Sequence, residues 1–236
     1  MDLQRVIENY QPTELAMSLV RQAKIVLLVG IAGAGKDTIK KELLKETDFQ
    51  DIVSHTTRLP RTNNGVVEQD GVDYHYISND QALAMAKGHA FIETKFVHGT
   101  VYGTSVHAVK DAFDSHKIAI TDLDVQGVEE YKQLSSKVVA IFILPPDYET
   151  WIGRLRPRYA SEEEFQAEFP KRRNSAIKEL TKALQVPYYH FVINDELARA
   201  VRAADEIAHK PDLFHRKDDE ARLAARDLLE AIKAYN

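Results

Sequence analysis

The chain has no cysteine and a single tryptophan among its 236 residues. Without cysteine there is no disulfide framework and no thiolate-held metal. Long hydrophobic runs are also missing. The longest, IVLLVG and VVAIFIL, fall far short of the roughly 20 apolar residues that span a bilayer. The start, MDLQRVIENYQPTEL, has no apolar core after a basic segment, so no secretory signal is expected. Positive charge is not in excess: 31 Lys and Arg stand against 36 Asp and Glu, a net of −5. The basic footprint of a nucleic-acid binder is therefore absent. No repeat and no low-complexity linker is visible. These absences leave a cytoplasmic protein with no membrane and no nucleic-acid polymer as partner.

What is present reads as an α/β chain. The composition, 44% hydrophobic and 28% charged, is ordinary for a globular protein. The length suits one good-sized domain, or a core with small inserted subdomains. KIVLLVG (24–30), KIAITD (117–122) and KVVAIFIL (137–144) have the continuous apolar character of strands buried on both faces of a parallel sheet. HFVIN (190–194) repeats the pattern more weakly. Helical segments lie between them, which argues for a parallel sheet with crossover helices. Residues 1–23 read as one or two helices, with Leu3, Val6, Ile7 and Tyr10 at helical spacing and a break at Pro12-Thr13. Residues 217–235 read as an amphipathic helix carrying Ala221, Ala225, Leu228, Ile232 and Tyr235. Two stretches break the alternation. Residues 54–105, rich in Thr, Tyr, Arg and His with NNG and DG turns, read as an inserted, mostly β subdomain. Residues 154–175, with Arg154, Arg156, Arg158, Lys171, Arg172 and Arg173 around SEEEF, read as a mobile helical flap.

The strongest local motif is Gly30-Ile31-Ala32-Gly33-Ala34-Gly35-Lys36-Asp37-Thr38. It follows a buried strand and opens a helix, the context a phosphate-binding loop needs. Glycines let successive backbone N–H groups turn inward to phosphate oxygens. The helix presents its positive end to the same anion. Lys36 adds a point charge for the β- and γ-phosphates. The position after the lysine is normally Ser or Thr, whose hydroxyl binds Mg2+; here it is Asp37, a hard-oxygen ligand in its own right. Asp122 ends the strand KIAIT, where ligands of open α/β sheets bind, and is placed to orient Mg2+ through water.

Further blocks follow in order: Ser54-His55-Thr56-Thr57-Arg58-Leu59-Pro60-Arg61, Asp70-Gly71-Val72-Asp73-Tyr74-His75-Tyr76, Phe91-Ile92-Glu93, and His98-Gly99-Thr100-Val101-Tyr102-Gly103-Thr104. Then come Asp122-Leu123-Asp124-Val125-Gln126-Gly127, Ile143-Leu144-Pro145-Pro146 and Val192-Ile193-Asn194-Asp195. This ordered set resembles the guanylate kinase family over about residues 24–208. The resemblance implies a three-layer P-loop kinase fold with a parallel sheet, a GMP-binding subdomain at 54–105 and a helical lid at 154–175. Residues 1–23 and 209–236 are then helical extensions, more in keeping with ordinary packing than regulation, though one or both could form a homodimer contact.

What the resemblance implies chemically is ATP-driven, Mg2+-assisted phosphorylation of GMP or dGMP. Gly30, Ala32, Gly33, Ala34, Gly35, Lys36, Asp37 and Thr38 correspond to the ATP-phosphate loop, Asn194 to a position near adenine, and Asp37 with Asp122 to the metal site. Ser54, Arg58, Arg61, Tyr74 and Tyr102 match the holders of the GMP phosphate, and arginine forks suit that anion. Glu93, Thr104 and Asp124 match the guanine readers. Guanine presents N1–H and amine donors, which a carboxylate accepts. Arg154, Arg158 and Arg172 match lid arginines that close over the triphosphate, while Arg156 and Arg173 match nothing. Two other readings stay open: a related kinase with another acceptor (another nucleoside monophosphate or ribose 1,5-bisphosphate), and an inactive interaction module. Thr62–Val67 puts about four extra residues between Arg61 and Glu68, relative to the family pattern.

Overall fold

The computed structural model describes residues 2–63, 66–213 and 218–235. Asn64 and Gly65 of the lengthened loop, and Met1, residues 214–217 and Asn236 of the terminal extensions, lie outside the described residues. The chain is α/β with a parallel sheet and divides into two compact units.

The first unit comprises residues 1–25, 47–121 and 129–138. Its N-terminal helices, Leu3–Glu8 and Glu14–Gln22, start where Asp2 and Thr13 accept the N–H groups of Gln4 and Ala16, satisfying donors that a helix start otherwise leaves orphaned. Strand Phe49–Asp51 pairs in parallel with Ile118–Asp122. A four-stranded sheet runs in the order His75–Tyr76, His55–Thr56, Thr100–Ser105, Phe91–Val97. The inserted segment also holds a helix, Asn79–Lys87, that its Thr- and Tyr-rich composition hid. The local signal was present, since Ser78 and Gln81 form a reciprocal capping box.

Ile7 of the first helix packs with Ala82, Ala86, Phe91 and Val101 in one buried cluster. Burying an isoleucine side chain contributes about 1.5–3 kcal/mol. The Tyr10 hydroxyl donates to the Phe91 carbonyl at 2.5 Å and accepts its N–H at 3.2 Å. The N-terminal extension thus braces the strand that carries Glu93.

The second unit comprises residues 26–46, 122–128 and 139–236. Strand Val139–Leu144 lies between Ile25–Val29 and Tyr189–Ile193, parallel to both. The first two strands are buried along their whole length, as their apolar runs require. Helix Lys36–Leu43 packs against Leu197–His209. The segment read as a flap is a short 3-10 turn, Arg156–Arg158, and then part of a longer helix, Glu162–Gln185. The C-terminal helix, Asp218–Ala234, lies along that helix and the strand Tyr189–Ile193.

Ala221, Ala225, Leu228 and Ile232 are buried as expected. Tyr235 departs from that face. It follows the last helical residue and is 54% exposed, its ring beside Tyr148 with centroids 5.1 Å apart. Arg173 donates to the carbonyls of Ile232 and Lys233 at 2.9 and 2.8 Å, satisfying acceptors at the helix end.

In the first unit, His55 faces His75 across the sheet with ring centroids 4.8 Å apart. Its Nδ1 is buried and has no hydrogen-bond partner among the described residues. Burial first, then the His75 charge, holds the His55 imidazole down at about 4, against a weaker upward pull from Asp70. The unfolded group titrates near ~6.5. Between those values the unfolded chain binds more protons, so this contribution to stability is complete above pH ~6.5 and is lost as pH falls toward 4. His55→Phe is expected to flatten the pH dependence of the unfolding midpoint between pH 7 and 5. Parallel curves for variant and wild type would assign that dependence to other groups.

Candidate active site

In the second unit, the strand Ile25–Val29 runs into the glycine-rich loop. Gly30 has φ 142°, and a Cβ there would sit 2.3 Å from the Ile143 carbonyl oxygen. Gly35 has φ 94° and lies so close to Asn194 that a Cβ would meet its Nδ2 at 2.2 Å. Only glycine satisfies both conditions. The helix then begins at Lys36 with no side chain capping its first turn, leaving its N-terminal N–H groups for an anion.

Side chains hold the loop from outside. The Trp151 indole N–H donates to the Ala32 carbonyl at 2.8 Å, and the Asn194 amide donates to the Ala34 carbonyl at 2.9 Å. A trans peptide points its N–H opposite to its carbonyl, so the N–H groups of Gly33 and Gly35 are directed away from these two braces. Lys36 Nζ donates to the Gly30 carbonyl at 2.6 Å. Arg154 reaches the Asn194 carbonyl through Nη2 at 2.9 Å, and its Nη1 is buried with no hydrogen-bond partner among the described residues. Sequence reasoning missed Trp151; its one signal was that the chain has no other tryptophan. Asn194 is 6% exposed and engaged with the loop itself.

Asp37 and Thr38 are exposed on the first helical turn. Asp122 pairs with Lys40 at 3.1 Å, a partner the sequence reading had not singled out. Glu179 was also missed. Burial raises its carboxyl pKa, the Lys36 charge opposes that shift, and Asp124 adds to it. Asp124 belongs to this unit, where it accepts the Gly127 N–H at 2.7 Å. Arg158 is exposed, and Arg172, also exposed, donates to the Tyr159 hydroxyl at 3.1 Å. Arg156 instead pairs with Glu162 at 3.4 Å and lies over the Phe165 ring. The unmatched arginines, 156 and 173, thus have internal partners.

In the first unit, Arg58 forms a two-pronged bond to Glu68, Nη1 to Oε2 at 2.6 Å and Nη2 to Oε1 at 3.2 Å. The Arg58 guanidinium lies 5.1 Å from the Tyr74 ring centroid and 5.8 Å from that of Tyr76, and Tyr102 acts on it electrostatically. Tyr74 and Tyr102 stand edge to face. Glu68 also accepts the Arg61 backbone N–H and the Tyr76 hydroxyl, each at 2.8 Å. Burial works to raise the Glu68 pKa. The hydrogen bonds from Arg58, Arg61 and Tyr76, with the Arg58 charge, outweigh it and bring the carboxyl down to about 2.

The structure therefore places Arg58 against Tyr74 and Tyr74 against Tyr102, and adds Glu68 and Tyr76. Arg61 enters through its backbone, its side chain exposed. Half-buried Ser54 accepts the His75 N–H through its carbonyl. The extra residues fold back as a strand pair, Thr62–Asn63 with Val66–Val67, that returns the chain to Glu68.

Glu93 and Thr104 meet across two antiparallel strands. A register shift between Phe91 and Glu93 sets Glu93 opposite Thr104, the re-aiming a bulge provides. The Thr104 hydroxyl donates to Glu93 Oε1 at 2.7 Å, and both residues are buried, Glu93 at 9% exposure. Gly103 permits the approach, since a Cβ there would lie 2.9 Å from the Glu93 carbonyl oxygen and from the Phe91 ring.

Known proteins resemble the chain over most of its length. The family model described as guanylate kinase matches residues 22–210. Guanylate kinase from Caldanaerobacter subterraneus subsp. tengcongensis is 35% identical over 205 residues, covering 86% of this chain and 95% of the relative. Guanylate kinase 1 of Oryza sativa subsp. japonica is 37% identical over 177 residues, covering 74% of this chain. The match spans less than half of the plant relatives' length, 44% of the rice protein and 49% of guanylate kinase 1 of Arabidopsis thaliana. Among solved structures, guanylate kinase from Anaplasma phagocytophilum superposes with a TM-score of 0.60 at 22% identity, covering 86% of this chain and 97% of that one. That likeness concerns the fold. With the family model matching most of the chain and the Caldanaerobacter relative aligned nearly end to end, the chain belongs to the guanylate kinase family.

Proposed function

We propose that the chain transfers the γ-phosphoryl group of ATP to GMP or dGMP, giving ADP and the nucleoside diphosphate, in a cytoplasmic setting. The observation that carries this reading is the buried Glu93–Thr104 pair. A carboxylate and a hydroxyl set side by side suit a base that presents adjacent donors and a carbonyl. The geometry suits the supporting roles. Arg58, with Arg61, Ser54, Tyr74 and Tyr102, would hold the GMP phosphate. Arg58 already grips an anion bidentately in Glu68, the interaction a phosphate uses. Asp124 would complete the base site. Gly30 and Ala32 through Thr38 would cradle the ATP phosphates, with Asn194 near the adenine and also holding the loop.

Lys36, Arg154, Arg158 and Arg172 would neutralise charge as the phosphoryl group moves in line. The acceptor phosphate has a second pKa near ~6, so it is ionised at neutral pH and needs no general base. The chemistry is positioning and charge neutralisation.

The residues fit Mg2+. Among the described residues no group of three or more acidic, His or Cys side chains gathers. Mg2+ in phosphoryl-transfer sites is held by one or two carboxylates plus substrate phosphates. Asp37, exposed beside Lys36, and Asp122 supply hard oxygens of that kind. When bound, the ion would screen the β- and γ-phosphate charges. Asp122 would share or release Lys40 on engaging it.

A coupled assay across GMP, dGMP, AMP, CMP, UMP and ribose 1,5-bisphosphate tests the acceptor. GMP and dGMP are expected to dominate in kcat/KM; preference for any non-guanine acceptor would overturn the reading. Asp37→Ser is expected to retain transfer while raising the Mg2+ needed for half-maximal rate by roughly threefold to tenfold, since one ligand charge is lost. An unchanged Mg2+ profile would show that Asp37 is not a ligand.

A further inference from the structure

Tyr10 lies outside residues 22–210, the stretch that the family model matches, and has no part in the proposed reaction. It follows the helix Leu3–Glu8, and its N–H donates to the Ile7 carbonyl at 3.1 Å. Its ring meets the Phe91 ring edge to face, with centroids 6.1 Å apart. Its hydroxyl donates to the Phe91 carbonyl at 2.5 Å and accepts the Phe91 N–H at 3.2 Å. An ordinary phenol keeps its proton up to about pH 10, and burial raises the Tyr10 pKa further. Both bonds therefore stand at working pH.

Phe91 opens the strand Phe91–Val97, the outermost of its sheet. One residue back, the Ala90 carbonyl accepts the Val106 N–H at 2.8 Å. A strand residue turns its N–H and C=O to the same side, where a neighbouring strand would exchange two bonds with them. No strand pairs with this outer edge among the described residues. The phenolic oxygen, donating once and accepting once, takes the place of that neighbour. Phe91 stands opposite Ser105, and Glu93 opposite Thr104. Two steps along one strand match a single step along the other, so Ile92 is the extra residue of a bulge. A bulge re-aims the side chains that follow it, and a slip of one residue turns a side chain to the other face of the sheet. The Phe91 side chain is 0% exposed, packed with Ile7 and Val101. Packing holds its ring and Tyr10 holds its backbone, so the bulge starts from a residue fixed in both.

We propose that Tyr10 is a positioning residue for base selection: by holding both backbone groups of Phe91 it fixes where the bulge falls, and so keeps the Glu93 carboxylate beside Thr104 to accept the guanine N1–H and amine. This deepens, and rests on, the GMP-phosphorylating function proposed above. The effect is confined to the base. Adenine has no N1–H and no amine at the guanine position, so it gains nothing from a well-placed Glu93. A site built to pair a donor discriminates strongly against a ligand that lacks it. Releasing Phe91 lets Glu93 drift from that geometry, which weakens GMP and leaves AMP as it was.

The test is Tyr10→Phe, which removes one oxygen and keeps the ring in its cluster, assayed against wild type with GMP and AMP over a full concentration range. Wild-type turnover of GMP is measured first; its absence would sink the functional reading, and with it the basis of this inference. Given that turnover, the variant is expected to raise the KM for GMP by about tenfold, the scale of weakened hydrogen bonds to a charged group. Its kcat for GMP should stay within about twofold, because what is lost is binding common to ground and transition states. The KM for ATP and the kcat/KM for AMP are expected to hold, so the GMP-to-AMP ratio falls by about tenfold, equivalent to about 1.4 kcal/mol.

Glu93→Gln and the double variant Tyr10→Phe/Glu93→Gln complete a cycle, each protein assayed below its own unfolding midpoint so that lost stability is not read as lost selectivity. Adding Tyr10→Phe to Glu93→Gln is expected to leave the ratio unchanged, because the carboxylate it positions is gone. An unchanged ratio in Tyr10→Phe, or equal loss of GMP and AMP turnover with a lowered midpoint, would overturn the proposal and leave Tyr10 a packing residue. So would a further tenfold fall in the ratio in the double variant, which would show that Tyr10 and Glu93 act independently.

Discussion

Backbone approach at the glycine-rich loop is the constraint on which the rest of the second unit turns. The loop must aim peptide N–H groups at an anion and keep that shape. Gly30 runs against the Ile143 carbonyl and Gly35 against the Asn194 side chain, with no room for a Cβ at either place. Outside the loop, Trp151 and Asn194 hold two of its carbonyls. These bonds come from the helix Tyr148–Leu155 and from the residue after the strand Tyr189–Ile193. The parallel strands and the helices behind them therefore support the loop as well as filling a core. Orienting dipoles before the substrate arrives removes reorganisation from the reaction itself.

In the first unit the corresponding constraint falls on side chains. A guanidinium held in a partly buried place needs an opposite charge, and Glu68 supplies one to Arg58 at 11% and 12% side-chain exposure. The added strand pair, Thr62–Asn63 with Val66–Val67, leads directly into that carboxylate. Tyr74 and Tyr76 lie against the guanidinium. The Glu93–Thr104 pair is built on the same sheet, and Tyr10, from the N-terminal segment, holds the start of its strand. A segment that looks like an extension in sequence is part of the core behind that pair's strands.

Much of this was legible in the residues. The runs IVLLV and VAIFIL form strands because side chains that are apolar on both faces of an extended chain must be covered on both. The glycine pattern located the loop. What could not be read were partners brought together from distant parts of the chain. Lys40 on Asp122 links residues 82 positions apart, Trp151 on Ala32 links residues 119 apart, and Asn194 on Ala34 links residues 160 apart. Local spacing carries no trace of such pairs. Glu68 and Tyr76 were passed over for a related reason: an acidic or phenolic side chain gains its role from what faces it. Tyr235 failed the opposite way, matching a helical period beyond the helix end.

The central claim is that the loop and the base site belong to one phosphoryl transfer. The most direct measurement mixes purified protein with ATP, GMP and Mg2+ and quantifies every nucleotide over time, alongside Lys36→Ala checked for a native unfolding profile. Wild type should yield one GDP for each ADP, while the folded Lys36→Ala yields neither at a comparable rate. ADP without GDP, or undiminished GDP from Lys36→Ala, would contradict the account.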